Sequence, residues 1–209
     1  MEDVLEVYQR PYDARYPVVC MDESSKQCVK ETRPVLPMRP GQSERYDAEY
    51  ERNGVAHLFM FCEPLAGRRT LRVADTHGAL EWAEGVRMLV EEQYPQARKI
   101  TLVMDNLNTH TGASLYKAFP PERARQLLEK LEFCNTPKHG SWLNIAEIEF
   151  SVLSRQCLNR RLPDIDTVRR ETTAWAERRN TQDNVRVDWQ FTTDDARIKL
   201  KHLYPVVSN

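Results

Sequence analysis

Two aspartates stand directly behind apolar runs. Asp22 follows Tyr16-Pro17-Val18-Val19-Cys20-Met21, and Asp105 follows Ile100-Thr101-Leu102-Val103-Met104. Short apolar runs closed by a polar residue read as buried strands, and polar groups at strand ends of an open α/β sheet sit where substrates bind. If the two strands are neighbours, their carboxylates face each other. A third acid comes from Trp142-Leu143-Asn144-Ile145-Ala146-Glu147-Ile148-Glu149-Phe150. On one continuous helix, Leu143, Glu147, Phe150 and Ser154 share a side. That phase turns Glu147 inward and leaves Glu149, about 200° round the helix, toward solvent. Taken singly each acid is ordinary, since a strand-end Asp is usually a turn-former or cap and a helical Glu is usually solvated. The joint order is harder to dismiss, because an inward acid needs a partner.

Elementary electrostatics says what such a trio is for. Two carboxylates about 4 Å apart repel by about 4 kcal/mol at an effective dielectric near 20, so three gather only around cations. Hard divalent ions with oxygen ligands, Mg²⁺ with Mn²⁺ as substitute, are the natural partners. Two such ions roughly 3.5–4 Å apart activate a water or a 3′-hydroxyl and stabilise the leaving oxygen of an in-line displacement. Asp22 is assigned to bridge both ions, Asp105 to hold one and Glu147 the other.

The elements around these residues must position them. The segment 26–53, with Pro34, Pro37 and Pro40 among charges, reads as a long connection with a short edge strand near Pro34 to Met38. Val55–Phe61 and Arg69–Ala74 across a turn make a hairpin. Ala79 to Tyr94 carries apolar residues at helical spacing and is stopped by Pro95. Ala113–Phe119 and Glu122–Leu131 are expected helices, and Phe133–Asn135 a last short strand. Leu143–Cys157 and Asp166–Asn180 are expected long helices, and Val185–Tyr204 a partly helical tail that wraps back. Three strands, a crossover helix, two more strands and then helices is the order of an α/β domain with a mixed sheet.

Four stretches together resemble the DDE transposases of bacterial insertion sequences related to the mariner elements. They are Val18–Ser24 around Asp22; Val103–His110, which is similar to the family's Asp-Asn-x-x-x-His signature; Thr136–Asn144; and Asn144-Ile145-Ala146-Glu147, similar to the family's Asn-Pro-Ile-Glu with Ile145 in place of proline. The likeness extends over residues 16–204. It implies a ribonuclease H-like, mixed five-stranded sheet flanked by helices, with residues 1–15 as an N-terminal remnant or linker and 205–209 as a tail. It implies Asp22, Asp105 and Glu147 as catalytic metal ligands, hydrolysis at transposon ends, and 3′-hydroxyl transfer into target DNA. The implied partners are double-stranded DNA and a second copy in a synaptic homodimer. Full-length members carry N-terminal helix-turn-helix modules, which are expected on a separate or absent segment. Asn106, His110, Lys138 and His139 are candidates for DNA contact or for support of the site.

The bulk properties fit an enzyme acting on DNA through gathered acids rather than a basic coat. The chain has 209 residues, 41% of them hydrophobic, enough for one packed core, and a formal net charge of −1. The five cysteines form no Cys-x-x-Cys pair, so neither a zinc site nor a disulfide framework is expected. No apolar run reaches the roughly 20 residues of a membrane span and the N-terminus lacks a secretory signal, so a cytoplasmic location is expected, which the resemblance makes bacterial. The Arg-rich stretch from Arg155 to Arg179 reads largely as a solvated mixed-charge face. The competing reading is an inactive remnant that serves as a dimerisation or interaction module.

Overall fold

The computed structural model describes residues 1–33, 38–43 and 48–204. Its centre is a five-stranded sheet, built from β1 (Val18–Glu31), β2 (Tyr50–Glu63), β3 (Arg68–Ala74), β4 (Ile100–Met104) and β5 (Leu131–Asn135) in the order β3-β2-β1-β4-β5. β1, β2 and β3 form an antiparallel meander; β4 and β5 run parallel to β1. The β2–β3 turn uses Gly67 at φ 67, where a Cβ would also stand 2.7 Å from the Val185 carbonyl oxygen.

Both faces are covered. On one lie α2 (Ala79–Arg87), α3 (Gly112–Ala118) and α4 (Pro121–Glu129), closing a cluster that includes Val19, Met21, Phe59, Trp82, Leu102 and Leu115. α2 continues into a π turn, Met88–Gln93, before Pro95. It approaches β2 so closely that a Cβ on Gly85 would lie 2.9 Å from the Phe61 ring. On the other face lie α1 (Glu2–Tyr8), α5 (Ile145–Leu153), α6 (Ile165–Thr181) and α7 (Thr193–Lys199). They close two clusters, one around Leu58, Met60, Phe150, Leu153 and Trp175, the other around Leu5, Cys20, Val103, Leu143 and Ile145. Local signals set the helix starts. The Asp164 side chain accepts from Thr167 N–H at α6, Pro121 stands in the first turn of α4, and Thr192 and Asp195 form a capping box at α7.

Three expectations need correction. The apolar run before Asp22 does not end there: β1 continues to Glu31, pairing with β2 through Glu31↔Tyr50, because an antiparallel neighbour keeps supplying hydrogen bonds after β4 has stopped. The connection that follows is correspondingly shorter than 26–53, and of the edge strand expected near Pro34 to Met38, residues 34–37 lie outside the described residues, as does the tail 205–209. Residues 1–15, given no element from sequence, contain α1, whose Val4 and Leu5 are fully buried. Among the described residues no helix is long and apolar enough to cross a membrane.

Candidate active site

The two aspartates meet through strand register. β1 and β4 pair in parallel as Val18↔Thr101, Val19↔Leu102 and Cys20↔Val103. The same offset carried two residues further sets Asp22 opposite Asp105, at the point where β4 ends and β1 runs on. Side chains alternate along a strand, so Asp22 shares the face of Cys20 and Asp105 that of Val103. That is the face on which the start of α5 packs, through Leu143, Ile145 and Ala146.

α5 is tied to β1 by one side chain. Buried Asn144 caps the helix, its Oδ1 accepting from Ala146 N–H at 3.2 Å, while its Nδ2 donates to the Met21 carbonyl at 2.9 Å. The helix bearing the third acid is therefore pinned to the backbone immediately before the first. Tyr8 adds a second tie from α1: its hydroxyl donates to the Leu143 carbonyl at 2.6 Å.

The charges of Asp105 and Glu147 both act on Asp22. Burial pushes the Asp22 carboxyl up to about 6; the nearby charges of Asp105, Glu147 and Glu23 add to this, against one backbone hydrogen bond from Glu23 N–H. Asp105 behaves oppositely. Burial pushes it up, but this is outweighed by the His110 hydrogen bond and charge and by the Leu107 N–H, which hold it below the ordinary value. Among the described residues no group of three or more His, Cys, Asp or Glu side chains is placed so that it could hold a metal ion.

The third acid sits differently from the sequence expectation. Glu147 is exposed, and Glu149, expected toward solvent, is 1% exposed. The reason is helix phase: Leu143 belongs to a separate 3-10 turn, Ser141–Leu143, and α5 starts only at Ile145. The inward stripe is then Ile145, Ala146, Glu149, Phe150 and Leu153. Glu149 is gripped by two guanidinium groups, Arg69 at 2.8 and 3.0 Å and Arg179 at 2.8 and 3.1 Å. Arg69 also donates to the Gly67 and Val185 carbonyls. Burial raises the Glu149 carboxyl, but the two arginines outweigh it and hold it below the ordinary range. Glu149 is thus committed to joining β3, α5 and α6, while Glu147 is exposed. Arg179, read as part of a solvated face, is buried; it ends the α6 stripe Val168, Thr172, Trp175, and an arginine on an apolar stripe was the sequence signal for a buried acid.

The four secondary candidates divide into two pairs. His110 is buried, its Nδ1 2.7 Å from Asp105 Oδ1, and its ring stacks on Trp82 at 5.7 Å between centroids. Asn106 Nδ2 donates to the Thr136 carbonyl at 3.0 Å, binding the end of β4 to the segment leaving β5. Both therefore support the site from within. Lys138 and His139 are exposed on that segment, with His139 at φ 63.

Comparison with known proteins follows the same lines. Residues 17–169 match the family described as DDE superfamily endonuclease. Solved structures of Mos1, a mariner transposase, share the fold. The Mos1 strand transfer complex gives a TM-score of 0.57 at 16% identity, covering 83% of this chain and 50% of that one. The paired-end complex with left transposon end gives 0.56 at 16%, covering 84% and 53%. The paired-end complex with Mn gives 0.54 at 17%, covering 83% and 52%. The chain thus spans about half the length of these solved chains. A search of curated protein sequences gives no match. With a ribonuclease H-like sheet order, Asp22 and Asp105 in register across it, and most of its length matched, this chain belongs to the DDE superfamily endonucleases.

Proposed function

We propose that the chain is a transposase catalytic domain that cuts phosphodiester bonds at transposon ends and transfers the resulting 3′-hydroxyl into target DNA, using two divalent cations held by Asp22, Asp105 and Glu147. The observation that carries this reading is the parallel β1–β4 register, which, carried two residues past its last pair Cys20↔Val103, sets Asp22 opposite Asp105, together with the charge of Glu147 acting on Asp22. The donor set fits Mg²⁺ or Mn²⁺. It consists of carboxylate oxygens alone, and one of them is held partly out of water beside like charges, a costly arrangement until a cation arrives. When bound, the ions activate the attacking oxygen and stabilise the leaving one. The chain's own residues do the rest. Asp22 and Asp105 present their oxygens from adjacent strands, His110 fixes the direction of Asp105, and Asn144 holds the Glu147 helix against β1. Exposed Lys138 and His139 are placed by this reading on the DNA side. The Mos1 relatives were solved as paired-end and strand transfer complexes, which supports DNA as substrate and a homodimer holding two ends; the reading itself puts the chain in a bacterial cytoplasm.

The test is an end-labelled duplex carrying the element's terminal repeat, incubated with the chain, Mg²⁺ and a plasmid target. Joined, labelled plasmid is expected from the wild type and none from Asp22→Ala. Cleavage without joining makes the chain a nuclease. No product, with no protein-dependent heat on Mn²⁺ titration, leaves the alternative of an interaction module.

A further inference from the structure

Glu23, next to the first acid, was assigned no role by its sequence position. Strand alternation turns it to the face opposite Asp22, the face where β1 packs under α2. There it meets His110. The imidazole is 1% exposed at the side chain, lies against fully buried Trp82, and gives its Nδ1 to Asp105 Oδ1. Its other nitrogen, Nε2, is a buried polar atom with no hydrogen-bond partner, and the Glu23 carboxylate stands 3.7 Å away. A buried polar atom left without a partner is destabilising, and the acid beside it is 21% exposed at the side chain. A hydrogen bond of roughly 2.9 Å between them needs a side-chain rotation and has Nε2–H as donor and the Glu23 carboxylate as acceptor, with Nδ1–H donating to Asp105 from the same, doubly protonated ring. The backbone of Glu23 is already engaged, its N–H donating to Asp22 Oδ1 at 2.9 Å.

We propose that Glu23 is a positioning residue for the metal site, orienting Asp105 through His110 while its own N–H orients Asp22. The inference rests on the reading of Asp22, Asp105 and Glu147 as metal ligands. One residue then sets the direction of both strand-borne acids, Asp22 through its amide and Asp105 through a carboxylate–imidazole–carboxylate string. Outer partners of this kind typically change metal affinity by about 10–100-fold when removed.

The full chain with Glu23→Ala and with Glu23→Gln tests this, using Mn²⁺ itself as probe and following free ion by electron paramagnetic resonance. Glu23→Ala is expected to weaken Mn²⁺ binding about tenfold or more. Glu23→Gln keeps a side chain able to hydrogen-bond Nε2 and is expected to stay within about threefold of wild type. Equal losses in both variants overturn the proposal, since Glu23 would then act by charge or as a ligand. No loss in Glu23→Ala overturns it too. The ¹⁵N spectrum of His110 in the metal-free chain separates this inference from the one beneath it. If the wild type takes up no Mn²⁺, the metal reading fails. The Nε2 resonance still judges the Glu23–His110 contact: unchanged in Glu23→Ala, it sinks that contact as well.

Discussion

At the scale of residues, the two glutamates of α5 show how one helix divides structural and chemical work. Glu149 neutralises two buried arginines, and removing one partner of a buried ion pair typically costs about 3–5 kcal/mol because the remaining charge is stranded. Glu149→Ala is therefore expected to lower the denaturation midpoint sharply with or without divalent ions. Glu147 is exposed and makes no such bond, so Glu147→Ala should leave metal-free stability within about 0.5 kcal/mol and abolish Mn²⁺ uptake. Thermal melts of the two variants, each with and without Mn²⁺, separate the roles; reversed outcomes would move the third ligand to Glu149. Asp22 carries the complementary signature. Burial and neighbouring acids hold its carboxyl at about 6 in the folded chain against 3.8 ordinarily. At pH 7 the charge therefore destabilises the metal-free fold, and Asp22→Asn should raise its stability by about 1–2 kcal/mol, from roughly 1.4 kcal/mol per pKa unit discounted for partial exposure. The same variant should lose the extra stability that Mn²⁺ gives the wild type. A midpoint that falls in Asp22→Asn without metal would contradict this electrostatic account.

At the scale of elements, what the sequence could reveal depended on whether its signal was local. β1, β4 and the acids behind them were legible because buried parallel strands read as unbroken apolar runs. The extension of β1 to Glu31 was not, since Ser24, Ser25, Lys26 and Gln27 carry no apolar run and are held by pairing with β2, a non-local partner. α1 escaped for a similar reason. Glu2–Tyr8 is too short to be stable alone, and it is held by burial of Val4 and Leu5 and by the Tyr8 hydroxyl. The phase of α5 failed on a single feature, the break between the Ser141–Leu143 turn and Ile145, where Asn144 caps the helix. That cap makes a prediction of its own. Asn144→Ala removes a helix cap, worth about 0.5–2 kcal/mol, and leaves the buried Met21 carbonyl without its donor. A loss of about 2–3 kcal/mol in denaturant unfolding should accompany weaker Mn²⁺ binding, because α5 then carries Glu147 without its tie to β1. Unchanged Mn²⁺ affinity in a folded Asn144→Ala chain would show that packing alone sets the helix.

At the scale of the whole molecule, the ionisable groups pull stability in opposite directions as pH falls. Burial, then the stacked ring of His77 at 4.4 Å, lowers the folded pKa of His57 below 6.5. The folded state then resists protonation more than the unfolded chain, so this contribution is complete above 6.5 and is lost as pH falls through that value. Asp22 and Glu63 work the other way. Both are raised chiefly by burial, Asp22 to about 6, so the folded chain takes up protons first and gains stability as pH falls toward the ordinary carboxylate range. Glu149 and Asp105, held low by arginine and histidine partners, contribute fully above the ordinary range and are lost below it. Between pH 7 and 5 the first two effects therefore oppose each other, and the metal-free midpoint should collapse below about pH 4.5, where the Glu149 network begins to protonate. His57→Phe and Asp22→Asn separate the two: with His57→Phe the midpoint should rise on acidification through pH 6, and with Asp22→Asn it should fall. A wild-type midpoint that climbs steadily to pH 4 would mean that the Arg69–Glu149–Arg179 network does not bind the two layers together as its geometry requires.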